Sequence, residues 1–414
     1  MHTPPLPDRS VETYAAITDP EWPERLRTLA KPLSEVGILH VSSTATGGGV
    51  AELLRSIVPV CRDLGVRSDW LVMDATDEFF EATKAIHNGL QGSGDPLTEA
   101  MKSTYRAVTE RNAAEIDGRY DLVVLHDPQP LGMLDRLEDR LPAAAFVWRC
   151  HVDLTDPLPE YLAFVSDYVR RFDHAIVSRS AYEANVEAPS TSVVHPSIDP
   201  LAEKNRAVDE GTATAERDRM APISFDDPIV AQVSRFDPWK DQFGTLEAFR
   251  LAREQVSGLQ LVLAGGMAGD DPEGVEIYER VARTAADDPD VHVLTDLPDM
   301  RVNVLQREAD VVVQKSLREG FGLVVSEALW KRTPVVGSTV GGIPLQIEHG
   351  RNGYLVGPED VPGVATSLVA LLENEDQRAA FGANGRKRVR ERFVLPRQLA
   401  DLLEALVTVL RRDR

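Results

Sequence analysis

Apolar runs of four to six residues recur along this chain. Each ends in a polar or glycine-containing turn and leads into a stretch with helical spacing. Runs at 37–42, 69–73, 121–125, 143–148 and 174–178 read as strands of a parallel sheet, where both faces are covered and strict alternation is lost. After the first run, Val50, Leu53, Leu54, Ile57, Val58 and Cys61 form one apolar helical stripe, and Gly65 supplies its C-terminal cap. A second series begins at residue 229, with strands predicted at 229–233, 259–264, 291–294, 309–313 and 334–336 and helices at 243–254, 273–286 and 323–330. Between the two series, residues 196–228 lose periodicity and gather proline and charge, which reads as a linker. Residues 1–30, rich in proline and charge, read as an irregular or helical lead-in. From Val361 onward the chain is helical again, with an apolar stripe at Leu399, Leu402, Leu403, Leu406 and Leu410. This alternation predicts an α/β protein of two doubly wound, Rossmann-like domains: 1–200, 201–390, and a helix over 391–414 packing back towards the N-terminal domain. Ligands of such sheets bind beyond the carboxyl ends of the strands, so the loops after strands are expected to face each other across a cleft.

Composition narrows the function classes. At 414 residues the chain exceeds one ordinary core and suits two or three domains. A net charge of −21 argues against nucleic acid or an anionic membrane as partner, because either would be repelled. Cys61 and Cys150 lie in apolar segments outside any Cys-x-x-Cys pair, which argues against a disulfide framework or a zinc site. The absence of a signal-like N-terminus and of an apolar run near 18 residues leads us to expect a cytoplasmic protein. With no His-x-x-x-His, EF-hand or paired-Asp motif, no protein-held metal is expected.

In so acidic a chain, cations and glycines at strand ends carry the information. The stretch 314–327 passes from a buried strand through Gly320 and Gly322 into a helix, which aims free backbone N–H groups at an anion. Glu319 and Glu327 bracket the turn, and a carboxylate beside a phosphate site needs another partner, for which sugar hydroxyls serve. Together these suggest a sugar nucleotide. Gly47, Gly48 and Gly49 follow the first strand and open a helix; they suit phosphate approach, or a tight turn needing positive φ. Arg235 and Lys240 follow the strand at 229–233 and would stabilise a departing diphosphate, or else form surface ion pairs with Asp237 and Asp241. His151 stands at a strand end in a polar turn beside Asp153, a setting open to a catalytic or a structural role. Asp127 and Gln129, after another strand, offer polar groups to an acceptor sugar. Gly341 and Gly342 should lie near the 314–327 turn, as a plain turn or a ligand contact.

Glu319-x7-Glu327 with Gly-Phe-Gly between, Arg235 and Lys240 upstream, and Gly341-Gly342 downstream resemble the retaining glycosyltransferases of the GT-B fold, which include glycogen and sucrose synthases. The runs Thr44-Ala45-Thr46-Gly47-Gly48-Gly49, His126-Asp127-Pro128-Gln129-Pro130 and Trp148-Arg149-Cys150-His151-Val152-Asp153 look more narrowly like trehalose glycosyltransferring synthases and their phosphorylase-like relatives. The resemblance covers about residues 37–395. It implies that a nucleoside diphosphate glucose and glucose give trehalose, with retention by a front-face mechanism in which the leaving phosphate takes the acceptor proton. It further implies that Gly48, Gly49, Arg235 and Lys240 meet the donor phosphates. Glu319 would read the hydroxyls of the transferred glucose, Gly320, Phe321, Gly322, Leu323 and Val324 would contact sugar and phosphate through the backbone, and Glu327 would take the ribose. His151 would bond the 6-hydroxyl, with Asp127, Gln129 and Asp153 on the acceptor side. No cofactor is implied beyond the donor itself, with any Mg2+ carried on the nucleotide. The nearest alternatives are phosphorolysis through glucose 1-phosphate, and a different acceptor. An epimerase would not explain the trehalose-branch motifs, a nicotinamide oxidoreductase would want a Gly-x-Gly-x-x-Gly that neither domain shows, and a non-catalytic sugar-binding protein would be expected to have lost the donor cations. The stripe from Leu399 to Leu410 would also suit a homodimer.

Overall fold

The apolar runs form two six-stranded parallel sheets, one in each of two compact units of the chain. The computed structural model describes residues 1–46, 48–266 and 272–412. The first unit comprises Met1–Ser197 with Val394–Arg414, and the second Ile198–Phe393.

In the first unit the strands are β1 (Gly37–Ser42), β2 (Arg67–Val72), β3 (Leu122–His126), β4 (Ala145–Arg149), β5 (His174–Val177) and β6 (Thr191–Val193). Their order is β2-β1-β3-β4-β5-β6, so the chain reverses direction across the sheet between β1 and β3. β1, β3, β4 and β5 are buried throughout, which is why they read as continuous apolar runs. The helix Gly49–Asp63 buries the expected stripe from Leu53 to Cys61, with Val50 only half-buried, and Gly65 takes φ 80 at its end, a left-handed conformation that glycine adopts freely. The C-terminal helix Leu395–Arg412 buries Leu399, Leu402, Leu403 and Leu406 and packs on the helices Trp22–Ala30 and Gly49–Asp63 of the same unit.

The second unit holds β7 (Ile229–Val233), β8 (Gln260–Gly265), β9 (Val291–Thr295), β10 (Val311–Gln314), β11 (Val335–Ser338) and β12 (Gly353–Val356), in the order β12-β11-β10-β7-β8-β9. β7 and β10 are direct neighbours although two strands separate them in sequence, and this is the topological switch point where such sheets bind ligands.

Two differences from the sequence reading stand out. β6 and β12 were not expected: both are edge strands, Thr-Ser-Val and Gly-Tyr-Leu-Val, too short to show a period. The supposed linker contains the helix Glu210–Asp218, started by Asp209, whose side chain accepts from the Thr212 N–H at 3.0 Å. Arg217 pairs with Glu308 at 3.2 Å and Glu216 with Arg301 at 2.9 Å, so charge that looked like a solvated linker holds this helix to the helix Asp299–Glu308.

Candidate functional site

The loops after β7 and β10 leave adjacent strands and are tied together along their length. Lys240 Nζ donates to Glu319 Oε2 at 2.7 Å, and the same oxygen accepts from Gln314 Nε2 and Ser316 Oγ, each at 3.1 Å. All three bonds fall on one oxygen, so the glutamate is held rigidly while Oε1 is left out of this cluster. The Leu317 N–H donates to the Trp239 carbonyl at 2.8 Å, and the Arg318 guanidinium lies 5.6 Å above the Trp239 ring. Beneath them Lys315, only 1 % exposed, pairs with Asp241 and donates to the Pro358 carbonyl at 2.9 Å. A buried ammonium with a carboxylate and a carbonyl is stable only because both partners are in place. Arg235 stands apart, 48 % exposed, with Asp237 at 3.3 Å.

The turn carrying Glu319 is braced from behind. Gly322 takes φ 79 and begins the helix Leu323–Trp330. Gly341, at φ 53, lies so close that a Cβ there would come within 1.6 Å of the Glu319 carbonyl oxygen. Gly342 donates from its N–H to the Gly320 carbonyl at 3.1 Å, and a Cβ on it would meet Phe321 at 2.5 Å. Gln346 donates to the Phe321 carbonyl at 2.7 Å and is itself fixed by Ser326 at 2.6 Å. Gly341 and Gly342 therefore serve as the backbone support of the turn, and their lack of side chains follows from that approach.

Glu327 lies in the same helix, 3 % exposed, accepting from Gln306 Nε2 at 3.1 Å with Lys204 Nζ 3.6 Å away. Burial pushes its carboxyl up, but the positive charges of Lys204 and Lys331 outweigh this and hold it below the usual range. Lys331 is buried beside it and brought down to about 7 by desolvation, although the Glu327 charge opposes the shift. Its ammonium donates to Asn205 Oδ1 at 3.0 Å. Lys204 and Asn205 both come from the stretch read as linker, so that stretch contributes to the surroundings of Glu327.

In the first unit, the interior of β1, the end of β3 and the turn after β4 bring three histidines into one file. His40 Nδ1 is 3.1 Å from His126 Nε2, and His126 Nδ1 is 3.2 Å from His151 Nε2. The Asp127 carboxylate accepts from the His151 backbone N–H at 2.6 Å, and Asp127 itself takes φ 64, with its carbonyl receiving Trp148 Nε1 at 3.1 Å. Burial raises the Asp127 carboxyl to about 7 despite those donors. Arg149, 2 % exposed, spends its guanidinium on the carbonyls of Val177 (3.2 Å) and Val194 (2.7 Å).

Asp153 departs from its expected place towards an acceptor. It is 4 % exposed and turned into its own loop, accepting from the Thr155 N–H at 2.9 Å and hydroxyl at 2.5 Å. Asp127 likewise acts first as a clamp on the His151 backbone. Gln129 keeps a buried Oε1 that meets no hydrogen-bond donor. Gly48 precedes the helix Gly49–Asp63 with extended backbone, φ −158, and a Cβ on it would meet nothing within 4 Å. Neither strain nor packing demands glycine at position 48, which disfavours the tight-turn reading there. Gly47 lies outside the described residues. Gln314, Ser316, Lys315, His40 and His126 were not singled out as site residues in the sequence, since each is a single polar residue in or beside an apolar strand.

Two family descriptions match: "Trehalose synthase, N-terminal domain" over residues 40–184 and "Glycosyl transferases group 1" over residues 215–388. The trehalose synthase of Thermococcus litoralis is 40 % identical over 96 % of this chain and 97 % of its own. A trehalose phosphorylase of Pleurotus pulmonarius is 28 % identical over 84 % of this chain and 54 % of its own. Among solved structures, sucrose-phosphate synthase from Thermosynechococcus elongatus shares the fold, with TM-score 0.70 at 19 % identity over 92 % of this chain and 100 % of its own. With two parallel α/β sheets of the GT-B type and similarity along almost its whole length, the chain belongs to the trehalose synthase family of glycosyltransferases.

Proposed function

We propose that this enzyme transfers glucose from a nucleoside diphosphate glucose to glucose, forming trehalose with retention at the anomeric carbon. The observation that carries the reading is the pairing of Lys240 with Glu319 across the switch point between β7 and β10. One loop supplies cations, Arg235 and Lys240, where a diphosphate gains charge as the bond to the anomeric carbon breaks; removing such a donor typically costs about 3 kcal/mol of transition-state stabilisation. The other supplies Glu319, anchored through Oε2 so that Oε1 can accept from glucose hydroxyls. Backbone N–H groups from Gly320 to Val324 contact sugar and phosphate, and Gly48 and Gly49 let a phosphate approach the start of the helix behind them. Glu327 takes the ribose diol by exchanging its loosest partner, Lys204 at 3.6 Å. His151 bonds the 6-hydroxyl of the transferred glucose, with Asp127 and Gln129 on the acceptor side. The leaving phosphate takes the proton of the acceptor hydroxyl. No protein-held cofactor enters this scheme, and Mg2+ belongs with the nucleotide.

Product analysis tests this directly. UDP-, ADP- and GDP-glucose are each offered glucose or glucose 6-phosphate, beside glucose 1-phosphate with glucose. Trehalose from a nucleotide donor and free glucose supports the proposal and names the base. Trehalose from glucose 1-phosphate alone would replace it with phosphorolysis, and no trehalose in any mixture would remove glucose as acceptor.

A further inference from the structure

The three-imidazole file contains more than one histidine facing a sugar requires. His40 is 1 % exposed and His126 6 %, so the file runs from the interior of the sheet to His151, the one ring that reaches the surface. The outer two rings are nearly coplanar, 14° apart with centroids at 5.5 Å. The rings bond one another, and among the described residues no three ligating side chains are grouped to hold a metal. Burial holds all three imidazoles below their ordinary range, to about 4 for His40, so the file is neutral near pH 7.

Neutrality makes the hydrogens countable. Three neutral imidazoles own one N–H each, and the two ring-to-ring bonds consume two of them. The third must sit at one end of the file. Either His151 carries it on Nδ1 and every bond points outward from His40, or His40 carries it on Nε2 and every bond points inward from His151. No other arrangement makes both bonds, so the tautomer of His151 is set jointly with a ring that it does not touch. The surroundings choose between the two. The Asp69 charge acts on the His40 end and favours an N–H there, while the Arg149 charge acts on His126 and His151 and favours a lone pair at the outer end. Asp127 accepts from the His151 backbone N–H, and with its carboxyl raised to about 7 it carries only part of a charge there near pH 7.

We propose that His40 and His126 are positioning residues for glycosyl transfer, holding His151 as the tautomer protonated on Nε2 so that its Nδ1 is presented to a sugar hydroxyl as an acceptor. This rests on the reading that His151 meets the transferred glucose. His151 then selects a hydroxyl donor at that place and rejects an ether or a bare acceptor.

The test combines spectroscopy with kinetics on the full chain. In protein labelled with 15N-histidine, the two ring nitrogens of each imidazole report its tautomer, and His151 is expected to be protonated on Nε2. His40→Leu removes the acceptor for His126 and should release His151 into mixed tautomers, lowering kcat on the order of tenfold with the donor KM unchanged. His40→Asn places an amide oxygen where Nδ1 stood and should restore both the tautomer and most of the rate. A wild-type His151 protonated on Nδ1, or a His151 signal indifferent to His40→Leu, would overturn the proposal. If His40→Leu does not fold, the wild-type tautomer and the His40→Asn protein decide. Wild-type protein inactive with every nucleotide sugar would refute the proposed reaction while the spectra still judge the file.

Discussion

Gly341→Ala is the sharpest probe of how the Glu319 turn is built. Two costs can be worked out from the structure. Gly341 sits at φ 53, where an L-residue loses about 1–2 kcal/mol. The added Cβ would also stand 1.6 Å from the Glu319 carbonyl oxygen, well inside any real contact, so the turn must retreat by about 1.4 Å. The neighbouring restraints, Gly342 on Gly320 and Gln346 on Phe321, oppose that retreat, so the displacement reaches the Glu319 side chain. A shift of about 1 Å at a positioned group costs roughly 100-fold in rate. We therefore expect kcat to fall about 100-fold and the melting temperature by about 4–8 °C, from roughly 2 kcal/mol in a unit of this size. Gly350→Ala separates the two effects: Gly350 has φ 74, but a Cβ on it meets nothing within 4 Å. It should lower stability by about 1–2 kcal/mol and leave kcat alone. Transfer rates with the active donor, read beside thermal unfolding, check both. Gly341→Ala with kcat within threefold of wild type, or Gly350→Ala losing as much rate, would refute the reasoning.

The other predictions address individual groups. Lys240→Ala should reduce kcat by 10²–10³, about 3–4 kcal/mol, because the leaving diphosphate loses a cation; a wild-type kcat in steady-state kinetics would show that the diphosphate departs without help from Lys240. Glu319→Ala should abolish transfer while calorimetry with the nucleoside diphosphate finds its affinity within a few-fold of wild type. Glu327→Gln should raise KM for a nucleotide donor and leave any glucose 1-phosphate reaction unchanged, since only the former carries a ribose. For pH, His40 is depressed to about 4 when folded and titrates near 6.5 when unfolded, so the unfolded chain binds the extra proton between these values. Its contribution, roughly 3 kcal/mol, is present above pH 6.5 and lost as pH falls towards 4. His40→Asn should make the melting temperature fall less steeply across that window, and an identical slope would contradict the buried, neutral ring.

Most strands came within reach of the sequence because parallel strands with both faces covered are buried throughout and so read as mainly apolar runs, as β1, β3, β7 and β10 do. What escaped was whatever owes its form to a neighbour and not to its own period. β6 and β12 are strands only because β5 and β11 offer an edge to pair with. The helix Glu210–Asp218 has few apolar residues of its own and is held by ion pairs to a helix about ninety positions later. The Asp153 side chain looked free in sequence, yet Thr155 two residues on bonds its Oδ1 twice.

The site shows the same division. Glu319, Lys240 and Arg235 declare themselves because a charged residue in a loop at a strand end has no reason in packing to be there. Gln314, Lys315 and Ser316 carry as much of the geometry, but polar residues where a buried strand runs into its loop look like defects of the apolar pattern until the strand beside it is known. His40 is the extreme case. It interrupts the run Ile-Leu-His-Val, and nothing nearby in sequence explains a buried imidazole. Its partner is 86 residues away, brought beside it because β1 and β3 pair with His40 opposite Val124, two residues short of His126. A polar residue inside an apolar strand is therefore evidence of a partner on an adjacent strand, since burying it alone would cost several kcal/mol. Where strand order can be argued in advance, as between β1 and β3, that partner can be sought among the polar residues at the same height of the neighbouring strands. On β3 and β4 that search finds His126 and Arg149, which stand opposite each other and lead to His151.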